Sequence, residues 1–195
     1  MTKRVITPAD IMPLAAYGAE RKERRTRLVA HKRTRRMEVG PLVTFHFESY
    51  ETMWHQVHEM LFIEKGGAEQ IADELAAYNP LIPQGRDLVV TMMIEVDDAT
   101  QRPLALKRLG GIENHIALQM PGHVVRAEPA DDAERTTADG KTSAVHFLRF
   151  VFTDAAAAAF KGGGGQVILA IDHPAYGHMA VMPAETRAAL AGDLG

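Results

Sequence analysis

Apolar and polar positions change their rhythm partway along this chain. Up to about residue 85 they recur mainly at helical spacing; beyond it they alternate or run together as strands do. A first helix is predicted from Thr7-Pro8-Ala9-Asp10. Thr7 can cap, Pro8 suits the first helical position, and Asp10 meets the positive end of the helix dipole. The helix runs toward Arg36 with a break near Gly18, and Val39-Gly40-Pro41 ends it. Leu14, Tyr17, Arg21, Arg25, Leu28 and Lys32 share one face. That face is mixed, so its arginines are expected to bury their stems and pair with acids. Leu42 to Glu48 alternates as a short strand. Ser49 caps a second helix over 50–64, which Gly66-Gly67 stops, and a third spans 68–78. Asn79-Pro80 and Pro83-Gln84-Gly85 form a rigid connection.

Leu88 to Val96 is nearly all apolar and reads as a central strand. Further strands are predicted over 114–119, 123–128, 144–152, 166–172 and 178–182, with a polar loop from Pro129 to Thr142. Pro183 opens a last helix that Gly192 ends. Two runs can be laid side by side, each reading strand, Asp, helix, Gly-Gly, strand, Pro, Gly-His, strand. Asp98 answers Asp154, Gly110-Gly111 answers Gly162-Gly163, and His123 answers His178. The expected fold class is α+β: N-terminal helices, then a mostly antiparallel sheet with helices on one face. Its strand-helix-strand-strand plan is consistent with duplication. One domain over 1–195 is expected, divided into a basic helical arm (1–40), a strand with two helices (41–85) and a sheet-rich part (86–195).

Composition narrows the chemistry. None of the 195 residues is cysteine, which excludes disulfides, thiolate metal sites and a cysteine nucleophile. The net charge of −3 hides an asymmetry. Residues 1–40 hold 11 Lys and Arg against 4 acids, +7, leaving −10 on the rest. A basic arm packed on an acidic body, its own or a second copy's, is the expected outcome. A homo-oligomer or a protein partner follows. Nucleic-acid binding is disfavoured, because the whole is acidic and RKERRTRLVAHKRTRR is not interleaved with aromatics. The start, MTKRVITPAD, lacks an apolar secretion segment, and no stretch is apolar enough to span a membrane. A cytoplasmic location is expected.

The stretch FHFESYETMWHQVHEML, residues 45–61, is the best candidate site. On a helical wheel Tyr50, Met53, Trp54, Val57, Met60 and Leu61 form the core face. Glu51, His55, His58 and Glu59 fall opposite, where a solvated face is expected. The sharper alternative is a divalent metal site for zinc, iron or manganese, in which Glu48, His55 and Glu59 converge and His146 adds a ligand. Glu64 falls among apolar positions and is expected to need an arginine partner. His146 shares a face with Leu148, Phe150 and Phe152, so it also reads as a core-edge histidine. His123 and His178 are further candidates through the repeat. No nucleophile elbow, phosphate-binding loop or dinucleotide fingerprint is present.

The segments KRVITPADIMPLAAY, RRMEVGP, FESYETMWHQVHEMLFIEKGG, ELAAYNPLIPQGRDL and VHFLRF resemble an uncharacterised bacterial family, a domain of unknown function of about this length. The family-like positions are Glu48, Gln56, Glu59, Met60, Glu64, Glu74, Tyr78 and Asn79. Its members often lie beside rubrerythrin-like and iron–sulfur oxidoreductase proteins. The resemblance therefore implies an accessory or interaction role linked to redox or oxidant stress. A non-haem metal-dependent enzyme using the His/Glu residues is the alternative.

Overall fold

Eight strands form one sheet in the computed structural model, ordered β1-β2-β3-β6-β5-β4-β7-β8, and every neighbouring pair is antiparallel. They are β1 (Arg36–Val39), β2 (Val43–Phe47), β3 (Asp87–Ile94), β4 (Ile116–Met120), β5 (His123–Pro129), β6 (Val145–Val151), β7 (Ile168–His173) and β8 (Tyr176–Val181). The helices are α1 (Leu14–Arg33), α2 (Tyr50–Glu64), α3 (Gly67–Tyr78), α4 (Arg102–Arg108), α5 (Asp154–Gly162) and α6 (Ala184–Ala191). The structure describes residues 3–130, 135–137 and 140–195. Part of the loop expected over Pro129 to Thr142 lies outside them; within it, Thr136 and Thr142 form an isolated bridge.

The sheet curls until its two edges meet. β5 makes the corner: Ala127 to Pro129 pair with β6, while His123 to Arg126 pair with β4. At the seam β1 faces β8 without a ladder. Tyr176 Oη joins them, donating to Val39 O at 2.8 Å and accepting from Leu42 N at 2.9 Å. The inner face carries the main core, including Phe45, Phe47, Leu88, Val90, Met92, Leu118, Phe150 and Leu169. Leu106, Phe160 and Leu190 of α4, α5 and α6 join that inner cluster. α2 and α3 cover the outer face instead, packing Met53, Val57, Leu61 and Leu75 on Val89 and Phe147. β3 is therefore buried on both faces, as its unbroken apolar run requires. The expectation of helices on one face describes α2 and α3; curling gives α4 to α6 the concave side.

The strand-helix-strand-strand order appears twice, as β3-α4-β4-β5 and as β6-α5-β7-β8. β3 pairs with β6 and β4 with β7. The pattern breaks where the β1–β2 hairpin stands between β8 and β3.

The N-terminal reading needs three corrections. Thr7 to Asp10 starts only a three-residue 3-10 turn, and α1 begins at Leu14. The break lies at Pro13 rather than Gly18, because Pro13 removes an amide donor. Gly18 stays helical and packs beneath Phe62, where an added Cβ would lie 2.9 Å from the ring. The helix also ends at Arg33, and Gly40 is the turn of the β1–β2 hairpin. Arg36 to Val39 alternates exposed and buried, which places Met37 and Val39 in the core.

Candidate functional site

α2 is held between the sheet and α1. Ser49 starts it with a reciprocal cap: Thr52 N donates to Ser49 Oγ, and Ser49 N donates to Thr52 Oγ1. One face meets the sheet through Met53, Val57 and Leu61. The opposite face lies under α1 and the segment before it. The solvated face expected for His55 and His58 is therefore overturned. His58 is 1% exposed and His55 9%. A one-helix wheel shows which residues oppose the core face, but not that a second helix covers them.

Tyr17, fully buried, is the centre of this contact. Its hydroxyl donates to Glu59 Oε1 at 2.7 Å and lies 3.2 Å from His55 Nδ1. Arg21, one turn on, grips Glu59 with two bonds, Nε to Oε1 at 2.8 Å and Nη2 to Oε2 at 2.7 Å. With its one proton on Glu59, the tyrosine oxygen accepts from His55 Nδ1–H. His55 Nε2 then carries the lone pair, 3.9 Å from Glu59 Oε1. Burial pushes the His55 pKa down, so the ring is neutral near pH 7. Burial and Glu59 raise the Tyr17 hydroxyl. His58 is committed elsewhere: Nδ1 donates to Trp54 O at 2.7 Å and Nε2 accepts from Met12 N at 3.0 Å. Its ring stacks on Trp54 at 3.7 Å, and Trp54 Nε1 donates to Asp10 O at 3.0 Å.

Arg24 lies over the Trp54 ring at 4.8 Å, whereas Arg25, expected on the packed face, is exposed. Between α1 and α2 opens a cleft of about 370 Å³. Arg24, Arg27 and Leu28 form one wall; Tyr50, Trp54 and His55 form the other.

The other sequence candidates fall into separate networks. Glu48 is buried and accepts from Thr52 Oγ1 and Thr91 Oγ1, both at 2.6 Å. His146 is fully buried inside the sheet, with Nε2 at 3.0 Å from Thr142 Oγ1 and from Ser143 O. Its Nδ1 stands 3.8 Å from Glu113 Oε2. His55 and Glu59 are thus brought together, while Glu48 and His146 stand apart from them. Among the described residues, no three His, Asp or Glu side chains form a group that could hold a metal ion. His123 opens β5, and His178 lies tilted against Tyr176 at the seam, with β4 and β7 between their strands. Gln56 donates to Tyr78 Oη at 3.4 Å. Asn79 clasps Ile6 by both amide groups, at 2.8 and 2.9 Å, and pins the N-terminal segment to the body.

Glu64 is a correction. It is exposed at the end of α2 and accepts from Gln70 Nε2 at 2.8 Å, and among the described residues no arginine pairs with it. The wheel fails there because α2 outruns the surface it packs on. Glu64→Gln should shift stability by no more than about 0.5 kcal/mol, measured by urea unfolding.

Glu59 carries a larger effect. The hydrogen bonds from Arg21 and Tyr17 hold its carboxyl at about 2, below the ordinary 4.5. Its stabilisation is complete above about pH 4.5 and is lost as pH falls toward about 2. Glu59→Gln should flatten the stability–pH curve across that window by at most about 3 kcal/mol. Thermal melts from pH 7 to 2.5 would read it, and parallel curves for both proteins would refute the coupling.

Tyr17, Arg21 and Arg24 were not singled out as site residues by the sequence. The available signal was a tyrosine with an arginine four residues on, in a helix otherwise poor in core residues.

An antiparallel sheet curled almost into a barrel, with α2 packed on its outside and tied to α1 by a His–Tyr–Glu–Arg network, defines this protein's class. Residues 5–194 match DUF3501, a family of proteins of unknown function. The chain belongs to that family. It is also similar to the crystal structure of a novel protein of unknown function from Burkholderia pseudomallei. The two are 40% identical, with a TM-score of 0.91 over 98% of this chain and 100% of the other. No curated protein matches the chain. No described helix is long and apolar enough to cross a membrane.

Proposed function

We propose that this protein is an accessory protein that works by association, using the outer face of α1. The observation that carries the reading is how little of α1 the fold uses. Of its 20 residues only Tyr17 is buried, and Val29 is 71% exposed. Lys22, Arg25, Lys32 and Arg33, which surround Val29 on the helix, are exposed too. An apolar side chain among cations suits an acidic protein surface. The −10 body of a second copy is such a surface, which makes a homo-oligomer the first assembly to test. Redox proteins are the further partner class that family resemblance supports. Sedimentation velocity in 50 mM and 500 mM salt should show a larger species that dissociates at the higher salt. Val29→Glu should abolish it. A monomer under both conditions at high protein concentration would end the self-association reading.

A metal-dependent enzyme is the second reading, favoured by the adjacency of His55 and Glu59 alone. Its test is zinc, iron and manganese content of untagged protein, with His55→Ala and Glu59→Ala beside it. Stoichiometric metal lost in both variants would support it. Substoichiometric metal in the parent would remove it.

A further inference from the structure

The cleft between α1 and α2 combines features that the association reading leaves unused. Its walls are apolar where Leu28, Tyr50 and Trp54 meet, and cationic where Arg24 and Arg27 reach the rim. His55 lines it while nine-tenths buried, and among the described residues its Nε2 makes no hydrogen bond. Its other nitrogen is held by Tyr17, which Glu59 and Arg21 hold in turn. Such a chain of contacts sets both the tautomer and the orientation of the ring, leaving an acceptor for a ligand donor.

The arginines are available. Arg27 meets Glu23 at 3.6 Å and Arg24 meets Glu20 at 2.7 Å, both at the exposed surface of α1. Exposed pairs of this kind are weak, so a ligand carboxylate can replace either glutamate. Arg24 Cζ already stands 4.8 Å over the Trp54 ring, and a guanidinium can also meet a second aromatic ring. The volume of about 370 Å³ falls in the range of small-molecule sites and suits a single ring with polar ends. Glu51 and His31 complete the rim; His31 is bound to Ser49 Oγ at 2.9 Å.

From this arrangement we infer that the α1–α2 cleft binds a small aromatic carboxylate carrying a hydroxyl group. The carboxylate meets Arg27 and Arg24, the ring lies against Leu28, Tyr50 and the Arg24–Trp54 stack, and the hydroxyl donates to His55 Nε2. This site does not depend on α1 association, because it faces α2 and not the outer side of α1.

Trp54 is the only tryptophan of the chain and lines the cleft, so its fluorescence reports on this place alone. The probe is 4-hydroxybenzoate, titrated with excitation at 295 nm and repeated by calorimetry. Saturable binding is expected. Benzoate, which lacks the hydroxyl, should bind about tenfold more weakly, the equivalent of one lost hydrogen bond. Arg27→Ala should weaken binding about tenfold, and His55→Gln should remove the preference for 4-hydroxybenzoate over benzoate. Glu51→Gln should tighten binding by removing a like charge from the rim. Arg27 is exposed, so its variant stays folded and decides the matter even if His55→Gln does not fold. No saturable signal by either method up to 10 mM (~ the weakest affinity of interest) would overturn the inference. So would equal affinity of Arg27→Ala and the parent.

Discussion

Arg35→Ala should destabilise the protein by about 3 to 5 kcal/mol, the usual cost of removing one partner from a buried ion pair. Arg35 is buried and the Asp193 side chain nearly so, the two side chains being 7% and 9% exposed. Two bonds join them, Nη1 to Oδ2 at 2.7 Å and Nη2 to Oδ1 at 3.0 Å. Arg35 also donates to Glu48 O at 3.3 Å and to Ala189 O at 3.4 Å. The residue therefore ties the end of the basic arm to the start of α2 and to the last turn of the chain. Alanine would leave the Asp193 carboxylate buried without a counter-charge. The double change Arg35→Met with Asp193→Leu should recover much of the loss, because it removes both charges. Denaturant unfolding of the three variants is the measurement. A loss below about 1 kcal/mol for Arg35→Ala would show that water reaches the site.

At the seam of the sheet, Gly40→Ala should cost about 2 to 4 kcal/mol. Gly40 has φ +69°, and a Cβ there would lie 2.5 Å from Tyr176 Oη and 2.6 Å from His178 Cγ. Tyr176 cannot move aside without breaking its hydroxyl bridge between Val39 and Leu42. Gly67→Ala is the internal control. Its φ is +79° with nothing within 4 Å of the added carbon, so it should show only the backbone cost of about 1 kcal/mol. Tyr176→Phe keeps the ring and removes the bridge, leaving Val39 O and Leu42 N without it, for a loss of about 1 to 3 kcal/mol. Equal melting midpoints for Gly40→Ala and Gly67→Ala would show that the seam does not depend on this close approach.

Much of the fold was legible because its signals are local. Ser49 at a strand end, the apolar run of β3 and the Asp-Pro-Gly punctuation of the second half each act within a few residues. They located α2, α3 and all but one strand. β1 was missed because Arg36 to Val39 follows a long basic helix, and four residues with alternating burial leave a short signature. The break at Pro13 was legible from proline chemistry, and Gly18 is the weaker signal of the two. Glycine weakens a helix, whereas proline before its start removes a donor that the helix needs.

The candidate site was legible in part, and its character was misjudged. His55 and Glu59 at a spacing of four had to be neighbours, and they are. The sequence could not show that Tyr17 and Arg21, 42 and 38 residues away, would take up the Glu59 oxygens. Nor could it show that Glu48 would be spent on two threonine hydroxyls, one of them 43 residues along.

By itself the sequence determined the α+β class, the order of nearly all elements, the absence of any thiol chemistry and the basic arm on an acidic body. Those properties follow from composition and from periodicities that act along the chain. The tertiary structure alone decided which helix face is wet. Burial depends on what lies on both sides of an element, and α1 covers the face of α2 that its own pattern would leave to water. It also decided that the sheet closes through one tyrosine, since that contact joins residues 134 and 137 positions apart. The cleft exists for the same reason: its two walls come from helices that only the folded chain brings face to face.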